Sequence, residues 1–190
     1  LRHLQSQWNK DNRFTGWTDI SLSKEGILSA KETAEKLADF KIDKVYTSPL
    51  SRNKETVSLI LDNLNKKDLP IVIDKALDER NYGKLQGLNK EDAKMQFGEK
   101  KVHLWRRSWD IAPPGGESLK DVYQRATPFF KKYIENDLEE GKNVLVVASH
   151  NSLRAIVKYV EKMADEDIIN LEIPYAGLRK YEFTNGVYKK

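Results

Sequence analysis

The chain opens with an imidazole beside a guanidinium, Arg2-His3, followed by Ser6-Gln7-Trp8-Asn9 and Asn12-Arg13-Phe14-Thr15-Gly16-Trp17. A phosphoryl-accepting histidine needs these parts: a neutral ring nitrogen to attack, an arginine for the phosphate oxygens, and small donors to complete the cradle. The chain has three histidines, His3, His103 and His150. His150 follows the apolar run Val144-Leu145-Val146-Val147-Ala148 and precedes a helical pattern, a position where a side chain and helix N–H groups can converge on an anion. Arg52, in Ser48-Pro49-Leu50-Ser51-Arg52, follows another short β-branched run and can reach the same cleft. Positive charge around His3 opposes its protonation and stabilises a transferring phosphoryl group. Glu79, in Asp78-Glu79-Arg80-Asn81-Tyr82-Gly83, is a candidate proton donor and acceptor for a substrate hydroxyl, with a pKa raised by surrounding ring edges and phosphate charge. A structural pairing of Glu79 with an arginine is the other reading, as a satisfied strand-end histidine is for His150.

Composition narrows the setting. At 190 residues one domain is expected, 1–190. The 33 Lys+Arg and 29 Asp+Glu give a formal charge of +4 and are interspersed, with no basic tract, which argues against nucleic acid. No cysteine is present, so disulfides and thiolate metal sites are excluded, and three separated histidines argue against zinc. No apolar run reaches membrane-spanning length and no secretory or lipidation signal is evident, so a cytoplasmic protein is expected. The sequence begins at Leu1; if Arg2-His3 ends a strand, most of that strand lies upstream.

The elements that must position these residues alternate between helix and strand. Ile27, Ala30, Ala34, Leu37 and Ala38 recur at helical spacing and predict one amphipathic helix from Ser23 to about Phe40. Lys44-Val45-Tyr46-Thr47 reads as a buried strand, with Ser48-Pro49 as N-cap and first residue of the next helix, whose apolar face is Val57, Ile60, Leu61 and Leu64. Leu69 to Ile73 is a second strand, placed at an edge or a strand start by Pro70. Residues 78 to 117 break the pattern with Tyr82-Gly83, Gly87, Gly98 and Pro113-Pro114-Gly115-Gly116 and read as a long irregular, functional insertion. Ser118 caps a long helix expected to kink at Pro128. Residues 143–148 form the clearest strand, central in a sheet. Arg179 to Phe183 and Val187-Tyr188 are strand candidates around the turn Asn185-Gly186. This order predicts an α/β three-layer sandwich, a mostly parallel central sheet flanked by helices, with ligands beyond the carboxyl ends of the strands.

With His3, Arg52, Glu79 and His150 in that order, the sequence resembles the histidine phosphatase superfamily, and within it the cofactor-dependent phosphoglycerate mutases. The resemblance covers nearly the whole chain. It includes the N-terminal stretches above through Asp19 and Leu22-Ser23, then Thr47-Ser48, the block from Glu79 to Lys90, Trp105-Arg106-Arg107-Ser108, Glu117-Ser118-Leu119 and Asn151-Ser152-Leu153-Arg154. It implies phosphoryl exchange through a phosphohistidine on His3, with 2,3-bisphosphoglycerate as cofactor and interconversion of 3- and 2-phosphoglycerate. It implies catalytic roles for Arg2, Arg52 and His150 around the phosphoryl oxygens in place of a metal, and for Glu79 in proton transfer. Asn9, Thr15, Gly16 and Asn151 would contact phosphate or substrate. Tyr82, Lys90, Arg106 and Arg107 would hold the carboxylate and second phosphate, and the insertion at 78–117 would serve as a lid. The expected partner is a small anionic phosphoglycerate, with a monomer or homo-dimer.

Three features depart from the family pattern, one of them a shorter stretch between Arg106-Arg107 and Glu117. Leu4-Gln5 stands where the family has glycine and then, commonly, glutamate, and Leu4 is expected to crowd the backbone approach to phosphate. Ser149-His150-Asn151-Ser152 lacks the family's glycine after the histidine; a one-residue deletion keeps His150 as the donor, whereas an ungapped alignment puts Ser149 in its place. Three readings follow: an active mutase, a related phosphatase with water as final acceptor, and a binding protein that kept the fold without the chemistry.

Overall fold

In the computed structural model, which describes residues 1–190, three parallel strands form the central sheet. β1 (Lys44–Thr47) lies between β2 (Ile71–Ile73) and β3 (Val144–Val147), with Val45 opposite Ile71 and Leu145. The N-terminal residues extend the sheet beyond β3 through a parallel bridge between Arg2 and Ala148, with the His3 N–H donating to the Ala148 carbonyl at 3.0 Å. β3 is therefore interior, as its unbroken apolar character predicts, and β2, which starts after Pro70, is an edge.

Helices cover both faces. Ahead of β1 come α1 (Gln7–Lys10), α2 (Lys24–Leu28) and α3 (Ala30–Glu35); α4 (Ser51–Asn63) follows β1. After β2 come α5 (Lys90–Phe97), α6 (Glu99–Arg107), α7 (Leu119–Phe129) and α8 (Asn136–Glu139), and α9 (His150–Val160) follows β3. Because strand side chains alternate, Val45, Leu145 and Val147 pack with Ala34, Leu37, Val57, Ile60 and Leu61 on one face. Tyr46 and Ala148 pack with Val122, Ala126, Phe129, Leu153, Ile156 and Val157 on the other. The result is the expected three-layer sandwich. A hairpin, β4 (Glu182–Thr184) and β5 (Val187–Lys189), turns at Asn185 and Gly186, both at positive φ.

Three local expectations are corrected. The helix expected from Ser23 to Phe40 is two short helices broken at Ser29, whose hydroxyl donates to the Gly26 carbonyl at 2.8 Å, a local bond that competes with the helical ladder. Ile27 and Leu28 are left exposed. α4 starts three residues after Ser48, and its N-terminal N–H at Ser51 is taken by Asp19 at 2.7 Å; Ser48 instead accepts from the Asn53 amide at 2.8 Å. The segment 78–117 is not irregular throughout: α5 and α6 lie in it and close a small core of Phe14, Leu85, Ala93, Val102 and Trp105. At Pro128, where a kink is expected, the helix passes into a π-helical turn over Phe130–Glu135, which accommodates the missing N–H.

Leu4 does not reach the space beside His3. It is fully buried against Leu22 and Ala30, and its N–H donates to Thr56 Oγ1 at 3.1 Å. The side chain that glycine would lack is therefore spent on a satellite core. Leu4→Ala is expected to cost about 2–5 kcal/mol of stability, read from denaturant unfolding; an unchanged unfolding midpoint would contradict this packing.

Candidate active site

The carboxyl ends of the parallel segments bring the candidate residues to one cleft of about 280 Å³. It is lined by Arg2, His3, Asn9, Thr15, Gly16, Arg52, Glu79, Tyr82, Lys90, Arg106, Arg107 and His150. Arg13, Phe14, Glu172, Pro174 and Tyr175 complete the wall. Arg13 and Phe14 lay in a motif singled out in the sequence but without a role there. Glu172 to Tyr175 lie in an extended stretch after the last helix, where no periodicity or motif marks them.

His3 is 2% exposed, and its Nδ1 lies 2.6 Å from the Leu4 carbonyl. A carbonyl only accepts, so Nδ1 carries the proton and Nε2 keeps its lone pair. Burial, then the charges of Arg52 and Arg2, hold the His3 pKa well below its ordinary value. The neutral imidazole that a nucleophile requires is thus the resting state.

The two arginines are held by main-chain oxygens. Arg52, on the first turn of α4, donates to the carbonyls of Gly16 at 2.7 Å and Thr18 at 3.2 Å. Arg2 donates to the Ile173 carbonyl at 2.7 Å and lies 3.9 Å from the Tyr175 ring centroid. Burial lowers both pKa values from the usual guanidinium range. Buried Arg2 Nε and Thr15 Oγ1 have no partner within the protein, a cost that an anion's oxygens would remove. Gly16 has φ +54°, and a Cβ there would meet Gln86 Oε1 at 2.1 Å, so the loop that carries Thr15 to the cleft is built for glycine. Asn9 spends its Oδ1 on the Ser6 N–H at 3.2 Å, in a capping box that starts α1.

Glu79 is buried and accepts from the Arg80 N–H at 2.7 Å, the Asn151 N–H at 3.1 Å and the Asn151 amide at 2.8 Å. Burial pushes its pKa up, but His150, these donors and Arg52 outweigh it and bring the carboxyl down to about 2. The His150 charge contributes only below about pH 4, where that ring protonates; the donors and Arg52 act at all pH. In the protein alone Glu79 is therefore ionised; the raised pKa expected of it belongs to a site that also holds phosphate charge. Asn151, expected at phosphate or substrate, is corrected. It is 1% exposed and does not line the cleft; its amide holds Glu79 and reaches Tyr82 Oη at 3.2 Å, while its Oδ1 accepts from Arg154 at 3.0 Å.

His150 is the first residue of α9, capped by a Ser149–Ser152 box. Its ring lines the cleft, whereas Ser149 is fully buried against the Asn53 amide; of the two, His150 is the one that faces the cleft. Lys90, Arg106 and Arg107 come from the start of α5 and the last turn of α6. Burial, then Arg106, lowers the Lys90 pKa. In all, six cationic side chains face two carboxylates in the cleft, a set suited to a small polyanion.

Both cleft histidines are held neutral, which makes stability pH-dependent. Between about pH 4 and the ordinary value of 6.5 for His150, the unfolded chain binds more protons than the native one, so stability rises with pH. His3 adds in the same direction below 6.5. The urea midpoint is expected to be flat above about pH 7, to fall between pH 6.5 and 5, and to fall less in His3→Gln/His150→Gln; an equal midpoint at pH 7.5 and pH 5 would contradict this.

Known proteins resemble this chain over nearly its whole length. The family model described as "Histidine phosphatase superfamily (branch 1)" matches residues 1–189. A 2,3-bisphosphoglycerate-dependent phosphoglycerate mutase of Parvibaculum lavamentivorans is 44% identical over 194 residues, covering 100% of this chain and 92% of the relative. One of a Bradyrhizobium species is 46% identical over 175 residues, covering 91% of this chain and 84% of the relative. The solved structure of Bacillus stearothermophilus YhfR superposes with a TM-score of 0.87 at 23% identity, covering 99% of this chain and 91% of that one, and supports the fold. The chain belongs to branch 1 of the histidine phosphatase superfamily, and within it to the 2,3-bisphosphoglycerate-dependent phosphoglycerate mutases.

Proposed function

We propose that the chain interconverts 3-phosphoglycerate and 2-phosphoglycerate, in glycolysis and gluconeogenesis, through a phosphohistidine on His3. The observation that carries this reading is a buried His3, fixed as the Nδ1–H tautomer, in a cleft that also holds ionised Glu79 and six cationic side chains. 2,3-Bisphosphoglycerate, when bound, supplies the phosphoryl group that primes His3. Its fit rests on the orphaned Arg2 Nε and Thr15 Oγ1 for one phosphate and on Lys90, Arg106 and Arg107 for the other anionic groups.

His3 Nε2 forms the N–P bond as the P–O bond to the glycerate oxygen breaks, and protonated Glu79 gives that oxygen its proton. In return transfer a substrate hydroxyl gives its proton to ionised Glu79 as its oxygen attacks phosphorus and the N–P bond breaks. The low pKa of Glu79 suits that second step. The negative charge of a bound polyanion opposes the surrounding cations and raises this pKa for the first. Arg2 and Arg52 neutralise the charge on the transferring phosphoryl oxygens and the neutral His150 ring donates a hydrogen bond to them, the task a metal performs in other phosphotransferases. Tyr82, packed on Phe14 with ring centroids 5.0 Å apart, sits beside Glu79 and limits water there. In this reading residues 1–190 form one domain, and the segment 78–117 serves as the lid over the cleft. No helix is long and apolar enough to cross a membrane, and we place the reaction in the cytoplasm.

The test is conversion of 3- to 2-phosphoglycerate in chelator, with and without catalytic 2,3-bisphosphoglycerate. Cofactor-stimulated conversion is expected, with His3→Ala losing at least about a thousandfold and Glu79→Gln about 100- to 10,000-fold. Conversion undiminished in His3→Ala would sink the mechanism, and phosphate release without isomerisation would make the chain a phosphatase.

A further inference from the structure

One cleft residue has no part in the chemistry above and stands in its way. Glu172 follows the last short helical turn and reaches the cleft from its rim, its side chain 55% exposed. One carboxylate oxygen lies 3.2 Å from His150 Nε2 and the other is paired with the Arg107 guanidinium. His150 and Arg107 are far less exposed, at 14% and 22%. Glu172 thus joins two groups that reach the cleft from different elements, the start of α9 and the end of α6.

The chemistry of that bridge is specific. A carboxylate only accepts, so the neutral His150 ring spends its Nε2–H on Glu172. This is the donor that the proposed reaction assigns to the phosphoryl oxygens. The same carboxylate takes Arg107, assigned to the substrate's carboxylate or second phosphate. The hydrogen bond from His150, helped by the Arg107 charge, outweighs partial burial and brings the Glu172 carboxyl down to about 2, so it is an anion across the working pH range.

We propose that Glu172 is a built-in anion that occupies the His150–Arg107 subsite, and that an anionic group of the phosphoglycerate must displace it to complete the site. The inference rests on the substrate class proposed above. Displacement is feasible because Glu172 sits at the solvent rim, where a carboxylate leaving an ion pair is rehydrated at little cost. It is also useful. An empty cleft with six cations is an open trap for any small anion, and a tethered carboxylate sets a threshold that only a ligand with several anionic groups exceeds. The same carboxylate can re-enter as product leaves, which keeps tight polyanion binding from becoming slow release.

The test is calorimetric binding of 3-phosphoglycerate to the whole chain and to Glu172→Gln, with Glu182→Gln on the exposed hairpin as a control for net charge alone. Glutamine keeps an acceptor for His150 but removes the charge that competes with substrate. Glu172→Gln is expected to bind at least about fivefold more tightly, the low end of ordinary coupling energies, and to show the same drop in KM with no gain in kcat; Glu182→Gln is expected to match the parent chain. Unchanged or weaker binding in Glu172→Gln would overturn the proposal, weaker binding meaning that Glu172 positions His150 and Arg107 for substrate. Equal tightening in Glu182→Gln would overturn it too. Binding is read without turnover, so a chain that binds but does not isomerise would sink the mutase reading while leaving the role of Glu172 decided.

Discussion

Everything in the cleft depends on keeping one imidazole neutral and buried among cations that have too few counter-charges. Such a site is costly to build, because guanidinium groups lose hydration on burial and repel one another. The chain meets the cost with main-chain oxygens rather than carboxylates: Gly16 and Thr18 hold Arg52, and Ile173 holds Arg2, which also stacks on Tyr175. Carbonyl dipoles fix the arginines without cancelling their charge. What remains is a positive field in a small space and a His3 lone pair that no proton competes for. Both serve attack on a phosphoryl group.

The fold supplies the convergence. Parallel strands point their carboxyl ends the same way, so His3, the loop before α4 and the start of α9 arrive together. Glu79 comes from outside the sheet and needs its own anchors. Arg125 and Trp17 donate to its backbone carbonyl at 2.9 and 2.6 Å, and the Arg154–Asn151 pair holds its carboxylate. Asn151 thus matters as a support behind the acid rather than as a contact to substrate.

Much of this was legible in the residues. The alternation of helix and strand, the interior position of β3, and the arrival of His3, Arg52 and His150 at one end of the sheet follow from period, burial and strand polarity, whereas Glu79 joins them in the sequence only through its glycine-marked motif and the family resemblance. What was not legible depends on through-space partners. Nothing near Ser29 in sequence says that its hydroxyl will outbid the helix, and nothing near Ser51 says that Asp19 will cap it from another loop. The ionised state of Glu79 is set by donors as far along the chain as Asn151, and Leu4 reads as an intrusion until its pocket of Leu22 and Ala30 is seen. Glu172 lies in a stretch with no pattern, and only the fold places it against His150 and Arg107.

The most direct test of a neutral, nucleophilic His3 is the chemical identity of the phosphorylated protein. After brief exposure to 2,3-bisphosphoglycerate, phosphorus NMR with peptide mapping by mass spectrometry should find a single acid-labile, base-stable phosphoryl group, on Nε2 of His3. A chain that acquires no phosphoryl group, or carries it on another residue or on Nδ1 of His3, would contradict the account.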